Sequence, residues 1–195
     1  MKKILTKEQQ AKKNQRNQLL IGIIMVGLMI FGTAGYAFSS KEGTSTGPST
    51  TILYNGINFV RSGDYWRFNS GGNEFITKYN ANETKELNVN MNRLIKDYQS
   101  KPLYFVTESG EPNNEIEANM GSFVLRIRGA CLPNQECNGN LPVKNCSIDN
   151  IIIIKEPVNQ TDENIYQNEN CIFITAYYSN QTKFADAFLF NILKI

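Results

Sequence analysis

Twenty consecutive residues without a charged side chain, Leu19 to Phe38 (LLIGIIMVGLMIFGTAGYAF), set the first constraint on this chain. Wound as a helix at about 1.5 Å per residue, the run is about 30 Å long, the thickness of a bilayer's hydrocarbon core. A buried helix of a soluble core rarely continues so far without a charge or a polar face. The run is therefore expected to be a transmembrane anchor. Its flanks give the orientation. Residues 1–18 carry Lys2, Lys3, Lys7, Lys12, Lys13 and Arg16 against Glu8, a net charge of +5. By the positive-inside rule this head stays in the cytoplasm and the rest of the chain is exported. Gly35-Tyr36-Ala37 also offers small residues at the −3 and −1 positions of a signal-peptide cleavage site, so a secreted protein released after cleavage is the alternative. The apolar run exceeds the roughly 7–15 residues usual in a signal peptide, which favours a retained anchor. Either way the C-terminal part lies outside the cytoplasm.

Beyond residue 18 the chain holds 14 of its 20 bases and 17 of its 18 acids, a net charge of −3. A mildly acidic exported domain with interspersed charges has no electrostatic case for nucleic acid. Residues 39–51 (SSKEGTSTGPSTT) offer almost nothing to bury and read as a flexible stalk. The organisation is thus a basic tail at 1–18, an anchor at 19–38, a stalk at 39–51 and an extracytoplasmic αβ domain at 52–195, which is large enough for one hydrophobic core. Cys131, Cys137, Cys146 and Cys171 all fall in that domain. An even number in an oxidising compartment reads as disulfides. Of the three connectivities, Cys131–Cys137 with Cys146–Cys171 is favoured: the first closes a short Pro/Asn/Gly loop, and the second ties together the approaches to two apolar strands. Zinc would require CxxC spacing or histidine partners, and the chain has no histidine. A redox-active pair would want Cys-X-X-Cys.

Read in order, the domain opens with a β-meander. Ile57–Val60, Tyr65–Phe68 and Glu74–Tyr79 are short apolar or aromatic runs separated by Ser62-Gly63-Asp64 and Ser70-Gly71-Gly72-Asn73. Trp66 falls in the central strand and reads as a packing aromatic. Apolar residues at helical intervals predict a helix over 91–99, although Leu87, Val89 and Met91 also alternate as a strand would. Leu103–Thr107, a helix over 111–120 with Pro112 near its start, and a strand over 122–129 predict a right-handed βαβ unit. The alternation of Phe123, Leu125 and Ile127 with Val124, Arg126 and Arg128 gives the last strand one wetter face, as at a sheet edge or mouth. Ile151–Ile154 has no polar residue to turn outward, so it is expected in an interior strand beside Cys171–Thr175. Between them, residues 155–170 form a long loop in which Ile165-Tyr166 pairs against the second strand. Residues 182–193 close the chain as a helix with Phe184, Ala185, Phe188, Leu189 and Ile192 on one stripe. The predicted class is a transmembrane helix followed by an α+β or α/β ectodomain, a meander and then a mixed sheet with helices.

The order of features resembles a loose set of small, single-pass, membrane-anchored archaeal proteins of unknown function. The resemblance is carried by the basic head and span, Tyr54-Asn55-Gly56, the segment Leu141-Pro142-Val143-Lys144-Asn145-Cys146, and Asn170-Cys171-Ile172 before the terminal helix. It implies the same topology and structural disulfides, and no activity.

The chemistry is mostly bounded by what is missing. Without histidine, Ser-His and Cys-His nucleophile systems, His-bound zinc and His general bases are excluded. No GxxxxGK[ST] or post-strand GxGxxG occurs. No catalytic residue, cofactor or metal site is assigned. Asn82, Asn159 and Asn180 begin Asn-x-Ser/Thr triplets and are candidate glycosylation acceptors, while Asn145 stands beside the bridged Cys146. The leading expectation is a non-catalytic cell-surface module contacting an envelope component, protein or glycan, with membrane lipid around its anchor. The aromatic meander of Tyr54, Phe59, Tyr65, Trp66, Phe68 and Phe75 offers either a contact face for it or simply that sheet's own core. The alternative is an extracytoplasmic carboxylate-dependent hydrolase, which would require distant acids such as Asp64, Glu108 and Glu111 to converge.

Overall fold

The computed structural model describes residues 16–26, 29, 50–107, 110–133, 137, 139–158 and 162–195. Of the expected anchor, residues 19–26 and 29 are helical with exposed side chains, while 27, 28 and 30–38 lie outside the described residues. No helix among the described residues is long and apolar enough to cross a membrane. Pro48–Ile195 forms a unit distinct from Met1–Gly47 and carries the αβ domain.

Short turns fold the first strands into a meander. β1 (Thr51–Tyr54), β2 (Ile57–Ser62), β3 (Tyr65–Ser70) and β4 (Asn73–Thr77) pair in sequence order, each antiparallel to the next. Asn55 and Gly56 both take positive φ, 47° and 80°, which gives a two-residue hairpin loop the twist its strands need. Alternation then sorts the side chains: Phe59, Trp66, Phe68 and Phe75 turn inward while Val60, Tyr65, Arg67 and Ile76 turn to solvent. A single-turn helix, α1 (Ala81–Thr84), follows, with Asn80 and Glu83 in a reciprocal capping box.

The second sheet has the order β5-β9-β10-β8-β6-β7. Its strands are β5 (Val89–Asn90), β6 (Pro102–Thr107), β7 (Arg126–Gly129), β8 (Asn150–Lys155), β9 (Asn164–Asn168) and β10 (Cys171–Thr175). β7, β6, β8 and β10 run parallel, β9 is antiparallel to β10, and β5 is parallel to β9. The helices are α2 (Ile95–Tyr98), α3 (Glu111–Met120) and α4 (Gln181–Leu193). The expected βαβ unit is β6-α3-β7, with β7 at the sheet's edge, but the strand expected over 122–129 begins only at Arg126, because residues 121–125 turn out of α3 with Val124 buried and Leu125 exposed. The expected helix over 91–99 contracts to α2, because residues 91–94 are drawn along the end of the sheet where Arg93 turns inward.

All four isoleucines, 151 to 154, are buried in β8. Ile152 and Ile154 join Leu103, Phe105, Ile172 and Ile174 under α3 and α4. Ile151 and Ile153 face the other way, with Tyr104, Ala130 and Cys171. Among the described residues no helix covers that second face: Leu132 and Cys146 of the cysteine-bearing segment pack against it. α4 is buried nearly all round, not along one stripe, because it lies between two sheets. Phe188 and Leu189 join the mixed-sheet core, and Phe190 packs on Phe59 and Phe68 of the meander at ring-centroid distances of 5.8 and 5.6 Å. The architecture is α+β in layers: meander, helices, mixed sheet, disulfide segment.

Candidate functional site

The crossover from β6 through α3 to β7 leaves a cleft at the carboxyl ends of the parallel strands, where open α/β sheets commonly take ligands. It has a volume of about 340 Å³ and an apolar floor of Phe105, Ile127 and Ala130. Leu141 lies close over Gly129, whose added Cβ would stand 3.4 Å from Leu141 Cδ2. The rim is polar: Thr107 from β6, Asn113, Asn114 and Glu117 from α3, and Arg128 from β7. Asn113 Oδ1 is buried with no hydrogen-bond donor. These groups can donate and accept around a small polar ligand or a projecting side chain, a volume at the small end of ligand pockets. Among the described lining residues Glu117 is the one carboxylate.

A second polar centre joins the meander to the helices. β4 is an edge strand whose outer backbone groups need partners. Asn119 of α3 supplies them as a peptide unit would: its Oδ1 accepts from Ile76 N at 2.8 Å and its Nδ2 donates to Ile76 O at 2.7 Å. The next three available amides each meet a carboxylate. Lys78 N donates to Glu115 Oε1 at 2.8 Å, Tyr79 N to Asp186 Oδ2 at 2.8 Å, and Asn80 N to Glu83 Oε2 at 2.7 Å. Asp186 is fully buried on α4, and its Oδ1 meets no nitrogen or hydroxyl donor. It stands against Glu115, whose carboxylate accepts from the neighbouring amide, Lys78 N. Burial pushes Asp186 well above the usual carboxylate range, and the Glu115 charge adds to the rise. Burial also raises Glu115, against the opposing pull of the Asp186 hydrogen bond and Lys78.

A third centre lies at the opposite ends of the parallel strands. Arg93 is buried, with Nη1 donating to Asn170 Oδ1 at 2.9 Å and Nη2 to Asn150 Oδ1 at 2.6 Å. Its guanidinium also lies 4.8 Å from the Tyr98 ring centroid. This cation holds the starts of β8 and β10 together through neutral acceptors. Tyr98 is itself buried, and burial raises its phenol.

The cysteines pair as Cys131–Cys137 and Cys146–Cys171. Cys171 is fully buried in β10, so the second bridge fastens the covering segment to the sheet's interior. Cys131 N donates to Pro142 O at 3.0 Å and Lys144 N to Cys131 O at 2.8 Å, which fixes the same segment beyond β7.

The other expected positions are not gathered into one site. The meander aromatics do not form the contact face: Phe59, Trp66, Phe68 and Phe75 are core, Tyr54 packs against them, and Tyr65 alone is exposed. Alternation on a strand covered by α4 accounts for this. Glu111 is engaged with Lys78 at 2.8 Å, Asp64 lies in the β2–β3 turn, and Glu108 is outside the described residues. The acids that do meet are Glu115 and Asp186. Asp186 was visible as the lone acid in the otherwise apolar FADAFLF, whereas nothing local marked Glu115 as its partner. Asn82 is exposed on α1. Asn180 Nδ2 donates to both Glu163 oxygens, at 3.0 and 2.9 Å, and Thr182 is buried. Asn159 lies outside the described residues.

No family model matches the chain, and no curated protein and no solved structure matches it.

Proposed function

We propose that this chain is a single-pass membrane protein, cytoplasmic at its basic N-terminus, that displays a non-catalytic binding domain outside the cell membrane. The stalk gives the domain reach, and the cleft between β6, α3 and β7 receives a polar group of a protein or glycan partner. The observation that carries this reading is the Cys146–Cys171 bridge. It joins a covering segment to a fully buried position of an interior strand, a structural use of cysteine that belongs to oxidising compartments. The apolar run and the basic head supply the direction of export. The polar rim around an apolar floor favours binding, and the buried carboxyls are already occupied by backbone amides.

Thiols blocked with an alkylating reagent inside intact cells, followed by non-reducing mass mapping of the full chain, test this reading. The expected result is no alkylated cysteine and the two bridges named above. Alkylated Cys146 and Cys171 in protein taken directly from cells would overturn it. The same map reads whether residues 1–38 are retained, which separates the anchored protein from one released by cleavage. It also reads Asn82, Asn159 and Asn180 for added glycan, where Asn82 is the exposed acceptor and Asn180 is held by Glu163.

A further inference from the structure

Two carboxyls from different helices, Glu115 on α3 and Asp186 on α4, close over consecutive amides just past the end of β4. Among the described residues neither has a cation of its own in the seam. The Lys78 ammonium is held by Glu111 at 2.8 Å, and the Lys183 ammonium lies over the Tyr79 ring at 5.9 Å. Glu83, from α1, brings a third carboxylate to Asn80 N. With every nearby acid ionised, this seam would gather three negative charges around three amides, with Asp186 beyond the reach of water. A single proton resolves it. Carried by Asp186 and donated to Glu115, it satisfies the otherwise unpartnered Asp186 Oδ1 and leaves both carboxyls able to accept from the backbone.

We propose that the seam between meander and helices is a proton-held latch, closed while Glu115 and Asp186 share one proton and opened when that proton is lost. Both groups bind the proton more tightly in the folded chain than in the unfolded one. Folding is therefore favoured at low pH, and the contribution is lost as pH rises above the ordinary carboxylate range and through the raised native values. Opening releases Lys78 and Tyr79 from the helices and loosens the β4 edge without disturbing the mixed sheet, whose core lies on the far side of α4.

The test is amide hydrogen exchange on the full-length chain in detergent micelles, corrected for the intrinsic base-catalysed rate. Between about pH 5 and about pH 9, protection of the Lys78 and Tyr79 amides should fall at least about tenfold, while that of Ile152 in β8 holds. Asp186→Asn keeps an acceptor for Tyr79 and a permanent donor toward Glu115, so its protection should stay flat over the same range. If that variant does not fold, Glu115→Gln, which removes the Glu115 charge but leaves the buried Asp186, should make the fall shallower than in the wild type. Carbon-13 carboxyl titration of the wild-type chain needs no variant: Asp186 and Glu115 should shift together, above the ordinary carboxylate range. Protection that tracks the intrinsic rate alone, an equally steep fall in the folded variant, loss at Ile152 in step with the seam, or ordinary carboxyl titration would each overturn the latch.

Discussion

Ile152 lies in register between Phe105 of β6 and Ile172 of β10, under the helices and out of reach of water. A carboxylate placed there would have no partner, and its desolvation would outweigh any surface substitution. Ile152→Asp should therefore cost about 4 kcal/mol or more, enough to prevent folding of a marginally stable domain. Ile148→Asp, at an isoleucine that is 80% exposed, should change stability by no more than about 0.5 kcal/mol. Chemical denaturation of the two variants checks the contrast; equal losses would mean that the β8 run is not the interior. Burial of this kind was legible because four consecutive isoleucines leave a strand no wet face. The polar centres were not. Arg93 and Asn170 are separated by 77 positions and Glu115 and Asp186 by 71, and no local pattern announces a pairing made by tertiary packing.

Asn119 shows how an element is held at its edge. One side chain replaces a missing strand partner for Ile76, and a third bond, Nδ2 to Glu115 O at 2.8 Å, fixes its rotamer on α3. Asn119→Ala would leave both Ile76 backbone groups without that partner, at a cost of about 2–3 kcal/mol, read by denaturation, with faster exchange at the Ile76 amide. Unchanged exchange there would show that β4 needs no help from the helix. Among the other elements, those with one dominant periodicity were read closely: β6, β8, β10 and the two long helices. Residues 87–99 were harder because two periods overlap. Leu87, Val89 and Met91 follow the strand period that ends in β5, and only Ile95–Tyr98 completes a helical turn. The stripe read on 182–193 was real but incomplete. Phe190 and Ala187, off that stripe, are buried because a second sheet covers the helix.

The αβ domain is built as layers joined by different forces. Apolar packing joins each sheet to the helices between them, a hydrogen-bonded seam locks β4 to α3 and α4, and two disulfides hold the segment that covers the other face. The layering could not be read from the chain, since neither sheet's pattern says which face meets α4. The disulfide framework could, because an even set of cysteines in a domain expected to be exported points to bridges and the spacing favoured this pairing. We propose that this domain works outside the cell with its basic head inside, and that orientation is the claim on which the functional reading rests. Protease added to intact spheroplasts expressing the full chain, with antibodies to each end, tests it most directly. The expected result is loss of residues 52–195 with the first 18 residues spared. A C-terminal domain protected until the membrane is opened by detergent would contradict it.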